Sequence, residues 1–231
     1  MTEPLVLVPG HLCDQAMWAH QRAHLADLAA VSIASTVGSD TMAGMARAVL
    51  AAAPPRFALA GLSMGGYIAL EIMRQAPARV TRLALVDTMA SLGTPAAAER
   101  RRQMIALLEA GRFDEVLAIF TPLLVHQSRL SDMPLMDELA RMTRRIGPKA
   151  ALDQQRAMLA RPDSLPGLAR ITCPAVVICG RQDVLTPLAE SETMAAGIPG
   201  AKLVAIEDCG HMSTMERPQA VTAVLRYWLQ A

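Results

Sequence analysis

Ser63 is the residue around which chemistry can be built. Gly61-Leu62-Ser63-Met64-Gly65-Gly66 directly follows the apolar run at 57–60 and directly precedes the helical pattern that starts at Tyr67. Small residues two before and two after the serine let the backbone turn sharply from strand to helix, holding the hydroxyl above a sheet. A helix beginning there also points the positive end of its dipole at an oxyanion formed on the serine. The plain alternative is a glycine-rich packing turn with a capping serine, and the strand-turn-helix setting argues against it. A serine hydroxyl is a weak nucleophile at neutral pH. It needs a base within hydrogen-bond reach, and the base needs a third group to fix its tautomer.

The chain offers both partners. His211, in Glu207-Asp208-Cys209-Gly210-His211-Met212-Ser213, lies between the last strand-like run and the final helical pattern, on a loop suited to the base. For the acid, Asp183 in Gly180-Arg181-Gln182-Asp183 follows the run at 175–179, giving the chain order Ser, Asp, His. Two rivals remain. Asp87 also ends a strand-like run, and Asp208 lies beside His211 in sequence, too near along the chain to reach the other ring nitrogen.

The elements that must position these groups are legible. Short apolar runs at 5–8, 31–34, 57–60, 83–86, 175–179 and 203–206 alternate with helical patterns at 16–28, 41–53, 64–75, 187–196 and 217–229. Alternation of this kind predicts a parallel sheet of right-handed β-α-β units. Most runs are apolar on consecutive residues, as expected for strands covered by helices on both faces. Pro187 and Pro218 fall near helix starts, and Thr186 could cap the first of these. The periodicity breaks over residues 91–166. There, amphipathic helices are expected at 96–108, 113–125, 135–146 and 149–159, separated by Gly111, Pro134, Gly147 and Pro148. This block divides the chain into a core of residues 1–90 and 167–231 and a helical insertion emerging at the carboxyl edge of the sheet, placed to act as a lid.

Composition sets the outer bounds. The 231 residues suit one domain, and 22 Lys plus Arg against 21 Asp plus Glu leave no basic surface for nucleic acid. No run reaches the roughly 20 apolar residues of a membrane span. The N-terminus reads as a first strand rather than a signal peptide, so cytoplasmic residence is the default expectation. Cys13, Cys173, Cys179 and Cys209 form no C-x-x-C pair, and His20 and His24 sit at i, i+4 and could share a helix face but lack the glutamate of H-E-x-x-H, so buried thiols and solvated histidines are expected, with no metal. Arg100, Arg101, Arg102, Arg144 and Arg145 could bind a carboxylate but read as solvated helix faces. Met104, Leu107, Leu108, Phe113, Phe120, Leu123 and Leu124 read as an apolar ceiling over the site or as the insertion's own core, the core being the simpler reading, and Trp18 is assigned to packing.

Taken in order, Pro9-Gly10-His11-Leu12, Gly61-Leu62-Ser63-Met64-Gly65-Gly66, Gly180-Arg181-Gln182-Asp183 and Gly210-His211-Met212-Ser213 make nearly the whole chain resemble the α/β-hydrolase superfamily. The resemblance implies an α/β fold with a helical cap and a Ser63, His211, Asp183 triad working without a cofactor. It also implies an oxyanion hole from the backbone N–H groups of His11 and Met64, with Leu12 as the fallback. Because the chain starts almost at once on the oxyanion strand, the sheet should be truncated to about six strands. The expected activity is hydrolysis of a small, fairly apolar ester through an acyl-enzyme. Thioesters, lactones and carbon–carbon bonds next to a carbonyl are open to the same residues, and a ligand-binding role with incidental turnover is the alternative from another class. An exposed apolar face of the insertion could equally form a dimer.

Overall fold

The structure is a computed structural model describing residues 2–230. Among them six strands, β1 (Glu3–Val8), β2 (Ala29–Ile33), β3 (Phe57–Leu62), β4 (Val80–Val86), β5 (Ala175–Gly180) and β6 (Lys202–Ile206), form one sheet in the order β2-β1-β3-β4-β5-β6. Every pairing is parallel. The chain winds outward from β1 to β2, then returns to lay β3 on the other side of β1. That reversal between β1 and β3 is where open α/β sheets leave a crevice at their carboxyl ends.

Side-chain alternation distributes the strands between two cores. Val6, Val8, Leu59, Leu83, Leu85 and Val177 face α2 (Met42–Ala52) and α3 (Met64–Gln75), with Met194 from a later helix. Leu5, Leu7, Ala58, Ala60, Ala84 and Ile178 face the opposite layer, which holds Trp18, Val221, Leu225 and Trp228. Trp18 is fully buried, as its packing role requires. All six residues of β3 are buried, and so are all six of β5. At about 1.5–3 kcal/mol for each large aliphatic side chain, this two-sided burial fixes the strand ends that carry the site.

The edge strands differ from expectation. β2 alternates between buried and exposed residues, and β6 begins with exposed Lys202 and Leu203. Each has a neighbour on one side only, so a single face needs to be apolar. The helix expected over 16–28 divides into a 3-10 turn, Gln15–Trp18, capped by Asp14, and α1 (Ala19–His24).

Between β4 and β5 the chain makes α4 (Pro95–Glu109), α5 (Phe113–Phe120) and α6 (Met133–Leu159). α5 stops earlier than expected, where Pro122 follows within a 3-10 turn. α6 spans both of the helices expected over 135–159, with its axis broken at Gly147, whose φ of 79° no helix accommodates. The closing elements are α7 (Leu188–Gly197), α8 (Ser213–Glu216) and α9 (Pro218–Gln230). No described helix is long and apolar enough to cross a membrane.

Candidate active site

The turn from β3 into α3 holds Ser63 at φ 54°, ψ −116°, a left-handed conformation that a non-glycine residue adopts only under constraint, at about 1–3 kcal/mol. Neighbouring strands supply that constraint. The Ser63 N–H donates to the Val86 carbonyl (2.9 Å), and the Ser63 carbonyl accepts from Gly66 N–H (2.9 Å) and Thr88 Oγ (2.7 Å). Two glycines permit the approach: a Cβ on Gly61 would overlap the Gly65 carbonyl, and one on Gly65 would overlap the Val8 carbonyl. The turn is therefore packed backbone against backbone, with the hydroxyl outward.

Two further strand ends bring His211 and Asp183 to it. His211 Nε2 lies 2.8 Å from Ser63 Oγ, and His211 Nδ1 lies 2.7 Å from Asp183 Oδ2. Asp183 follows β5 and is held by its own loop: Oδ1 accepts from the N–H groups of Leu185 (2.7 Å) and Thr186 (3.0 Å), and Oδ2 from the Thr186 hydroxyl (2.5 Å). Thr186 thus serves the carboxylate rather than capping α7, whose N-terminal Pro187 makes no side-chain cap. Burial alone would raise the Asp183 pKa, but the His211 charge and these hydrogen bonds hold it below the ordinary carboxylate value. Burial likewise pulls His211 down, and the charge and hydrogen bond of Asp183 outweigh it, so its pKa stands above the ordinary imidazole value. With Asp183 ionised, His211 carries its proton on Nδ1 and leaves Nε2 free to accept from Ser63.

Neither rival acid bonds the histidine. Asp87 ends β4 fully buried, with Oδ1 accepting from Gly180 N–H (2.8 Å) and Oδ2 from the Ser213 N–H (3.1 Å) and hydroxyl (2.5 Å). It ties together the two loops that carry Asp183 and His211. Asp208 is exposed, and its carbonyl accepts from Arg217.

Beyond β1 the backbone turns through Leu12 at φ 56°. Here Gln154 of α6 reaches in: its Oε1 accepts from the Leu12 N–H and from His11 Nδ1, both at 2.9 Å. Gln155 Nε2 donates to His11 Nε2 at 2.9 Å. The imidazole is thus bonded on both nitrogens as a neutral ring, and burial pushes its pKa down to about 3. The Leu12 amide is committed to Gln154, whereas the amides of His11 and Met64 pair with no protein acceptor among the described residues.

Above Ser63 lies a cavity of about 230 Å³, floored by Ser63, His211 and Thr186 and roofed by α4 and α5. Met104, Leu107, Phe120 and Leu123 line it, so the apolar residues of the insertion are divided: these form a ceiling, while Leu108 and Leu124 are buried as core. The arginines divide too. Arg145 pairs with Asp14 and Glu138, and Arg102 pairs with Glu99, but half-buried Arg101 lines the cavity and Arg100 stands exposed at its rim.

Residues 5–224 match the family model described as the alpha/beta hydrolase family. The chain belongs to the alpha/beta hydrolase family. It is 30% identical over 192 residues to the pimeloyl-[acyl-carrier protein] methyl ester esterase of Aromatoleum aromaticum, covering 78% of this chain and 76% of that one. A solved thermophilic esterase from Thermogutta terrifontis superposes with a TM-score of 0.90 at 30% identity, covering 100% of this chain and 90% of that one. The enol-lactonase of Burkholderia xenovorans shares the fold at a TM-score of 0.91 and 23% identity, over 100% and 93% of the two chains.

Several groups in this hydrolase's site had no marker in the sequence. Gln154, Gln155 and Arg161 sit in or just beyond a helix with ordinary polar spacing, and only the packing of α6 over the sheet turns Gln154 to the His11-Leu12 turn and Gln155 and Arg161 to the cavity. Thr186 had a signal, a hydroxyl three residues after Asp183, but the helix start beside it suggested a different role.

Proposed function

We propose that this alpha/beta hydrolase is a carboxylic ester hydrolase that works through an acyl-enzyme on Ser63. The observation that carries the reading is the unbroken relay from Ser63 Oγ to His211 Nε2 (2.8 Å) and from His211 Nδ1 to Asp183 (2.7 Å). Ser63 Oγ attacks the ester carbonyl carbon as its proton passes to His211 Nε2, and Asp183 stabilises the imidazolium. Negative charge gathers on the former carbonyl oxygen, where the His11 and Met64 amides form the oxyanion hole. Collapse breaks the ester C–O bond, and His211 gives its proton to the departing alcohol. Water then enters, loses a proton to His211, attacks the acyl carbon and releases the acid with Ser63 restored.

A cavity of about 230 Å³ suits a small substrate, and the helices over residues 91–166 act as its cap. The names of the similar proteins, two esterases and an enol-lactonase, share an ester carbonyl as the reacting group. The test is release of nitrophenol from p-nitrophenyl esters of increasing acyl length. Wild type is expected to show a burst followed by steady turnover, with Ser63→Ala lower by about 10⁴-fold or more. Turnover that survives Ser63→Ala would sink the reading.

A further inference from the structure

We propose that the cavity over Ser63 contains a carboxylate-binding subsite formed by Arg161 and Arg101, so that the substrate is an ester with a free carboxylate on one of its halves. This rests on the ester-hydrolase reading and narrows its substrate class.

Arg161 follows α6 and is only 8% exposed. Its guanidinium lies 4.2 Å above the Tyr67 ring, one turn along α3 from Ser63, and one N–H donates to the Ser91 carbonyl. Arg101, on α4, donates weakly to Gln155 Oε1 (3.4 Å) and lies against Met158 Sδ (3.1 Å). Both line the cavity together with Ser63 and His211, and Arg100 stands at its exposed rim. Among the described residues no aspartate or glutamate lines it. Among the described residues neither Arg161 nor Arg101 has a carboxylate within salt-bridge distance, whereas Arg102, the next residue, pairs with Glu99 at 3.0 Å. Glu190 is engaged by the Ser91 hydroxyl and Asp163 by the Leu165 amide, and neither reaches the cavity wall.

A guanidinium cannot shed its proton in a protein, so burial leaves it charged. Burying such a charge without an opposite partner is unfavourable, and the face of one ring with one carbonyl offsets only part of the cost. Burial accordingly draws the Arg161 pKa downward. An arginine serving only to tie the Ser91 loop to Tyr67 would explain Arg161 alone. It would not explain a second unpaired arginine on a separate helix lining the same acid-free cavity. A carboxylate entering there meets two guanidinium groups with donors to spare and would be held by charge-assisted hydrogen bonds. The apolar ceiling then takes the carbon chain between the carboxylate and the reacting carbonyl.

The test compares kcat/KM within two substrate pairs. Mono-p-nitrophenyl glutarate against p-nitrophenyl pentanoate places the carboxylate on the acyl side, and 4-acetoxybenzoate against its methyl ester places it on the alcohol side. Wild type is expected to favour the charged member of at least one pair by about tenfold or more, and that ratio should fall about tenfold in Arg161→Gln and in Arg101→Gln. Arg102→Gln should keep the wild-type ratio. Because each ratio is taken within one preparation, a variant that folds in low yield still reads out. A wild type that turns over the neutral members equally or better, or a charge preference unchanged in both arginine variants, overturns the subsite and leaves the serine reading standing. No Ser63-dependent turnover of any of these esters overturns the serine reading and the subsite with it.

Discussion

Asp183 and Asp87 lie within electrostatic reach of His211 and are held in opposite ways. Asp183 keeps its charge because His211 and three hydrogen bonds from its own loop favour the ionised form, while burial, and then the Asp183 charge, pushes Asp87 up to about 8. The raised His211 pKa fixes the sign of the activity profile. In the proposed mechanism the base works unprotonated, so kcat/KM should rise with pH along a limb centred above 6.5. Asp183→Asn should move that limb to lower pH and cut kcat by about 10³–10⁴-fold, measured as a pH–rate profile on a p-nitrophenyl ester; an unmoved limb would argue against the pairing. Asp87 makes a different prediction. Its unfolded carboxyl ionises near pH 4, its folded one at about 8. Through that window the folded protein holds a proton that the unfolded chain lacks, so stability falls as pH rises. His211, also raised, contributes a fall of the same sign as pH passes its folded pKa. Asp87→Asn should flatten the decline in Tm between pH 5 and pH 8, and equal slopes would refute the assignment. Ser63, His211 and Asp183 were singled out from sequence because each follows a strand at a characteristic turn, and the structure brings the three side chains together. Arg161 and Gln154 were not: a polar residue in or beyond a helix declares no target until that helix is docked.

At the level of elements, the turn between β3 and α3 is closed by contact with β1, so its tolerance of a single methyl group is testable. Gly65→Ala drives a Cβ into the Val8 carbonyl and should destabilise the fold by about 2 kcal/mol or more while displacing Ser63. Gly147→Ala is the comparison. Nothing lies within 4 Å of that Cβ, and only the positive φ opposes it, so about 1 kcal/mol and near-normal turnover are expected. Thermal melts and ester assays on both variants decide this; equal losses would mean that the turn is less tightly packed than described. The central strands were legible because burial on both faces writes a continuous apolar run. β2 was expected two residues late, since an edge needs one apolar face only, β4 was expected to start three residues late because half-buried Thr81 and Arg82 break its apolar run, and α8 escaped notice because four residues carry no periodicity.

Across the whole molecule, the helical insertion is fastened to the sheet edge by backbone and buried side chains. The Met212 N–H donates to the Leu124 carbonyl (2.9 Å), and the Glu216 carboxylate accepts from the N–H groups of His126 (2.8 Å) and Gly210 (3.0 Å). Both tryptophans, Trp18 and Trp228, lie in the sheet core, whereas far-ultraviolet dichroism reports heavily on α4, α5 and α6. The two signals should lose native structure in one coincident transition in urea, and Glu216→Ala should pull them apart, with the helical signal going first. Transitions already separate in the wild type would show that the fastening is weak. The contact of Gln154 and Gln155 with His11 bears on how such proteins diversify. The insertion is not an exchangeable module: a chimaera carrying a relative's helices without an equivalent glutamine pair would inherit a new pocket roof and lose the brace on the Gly10-His11-Leu12 turn. Recombination that alters substrate range here must move residues 9–13 and α6 together.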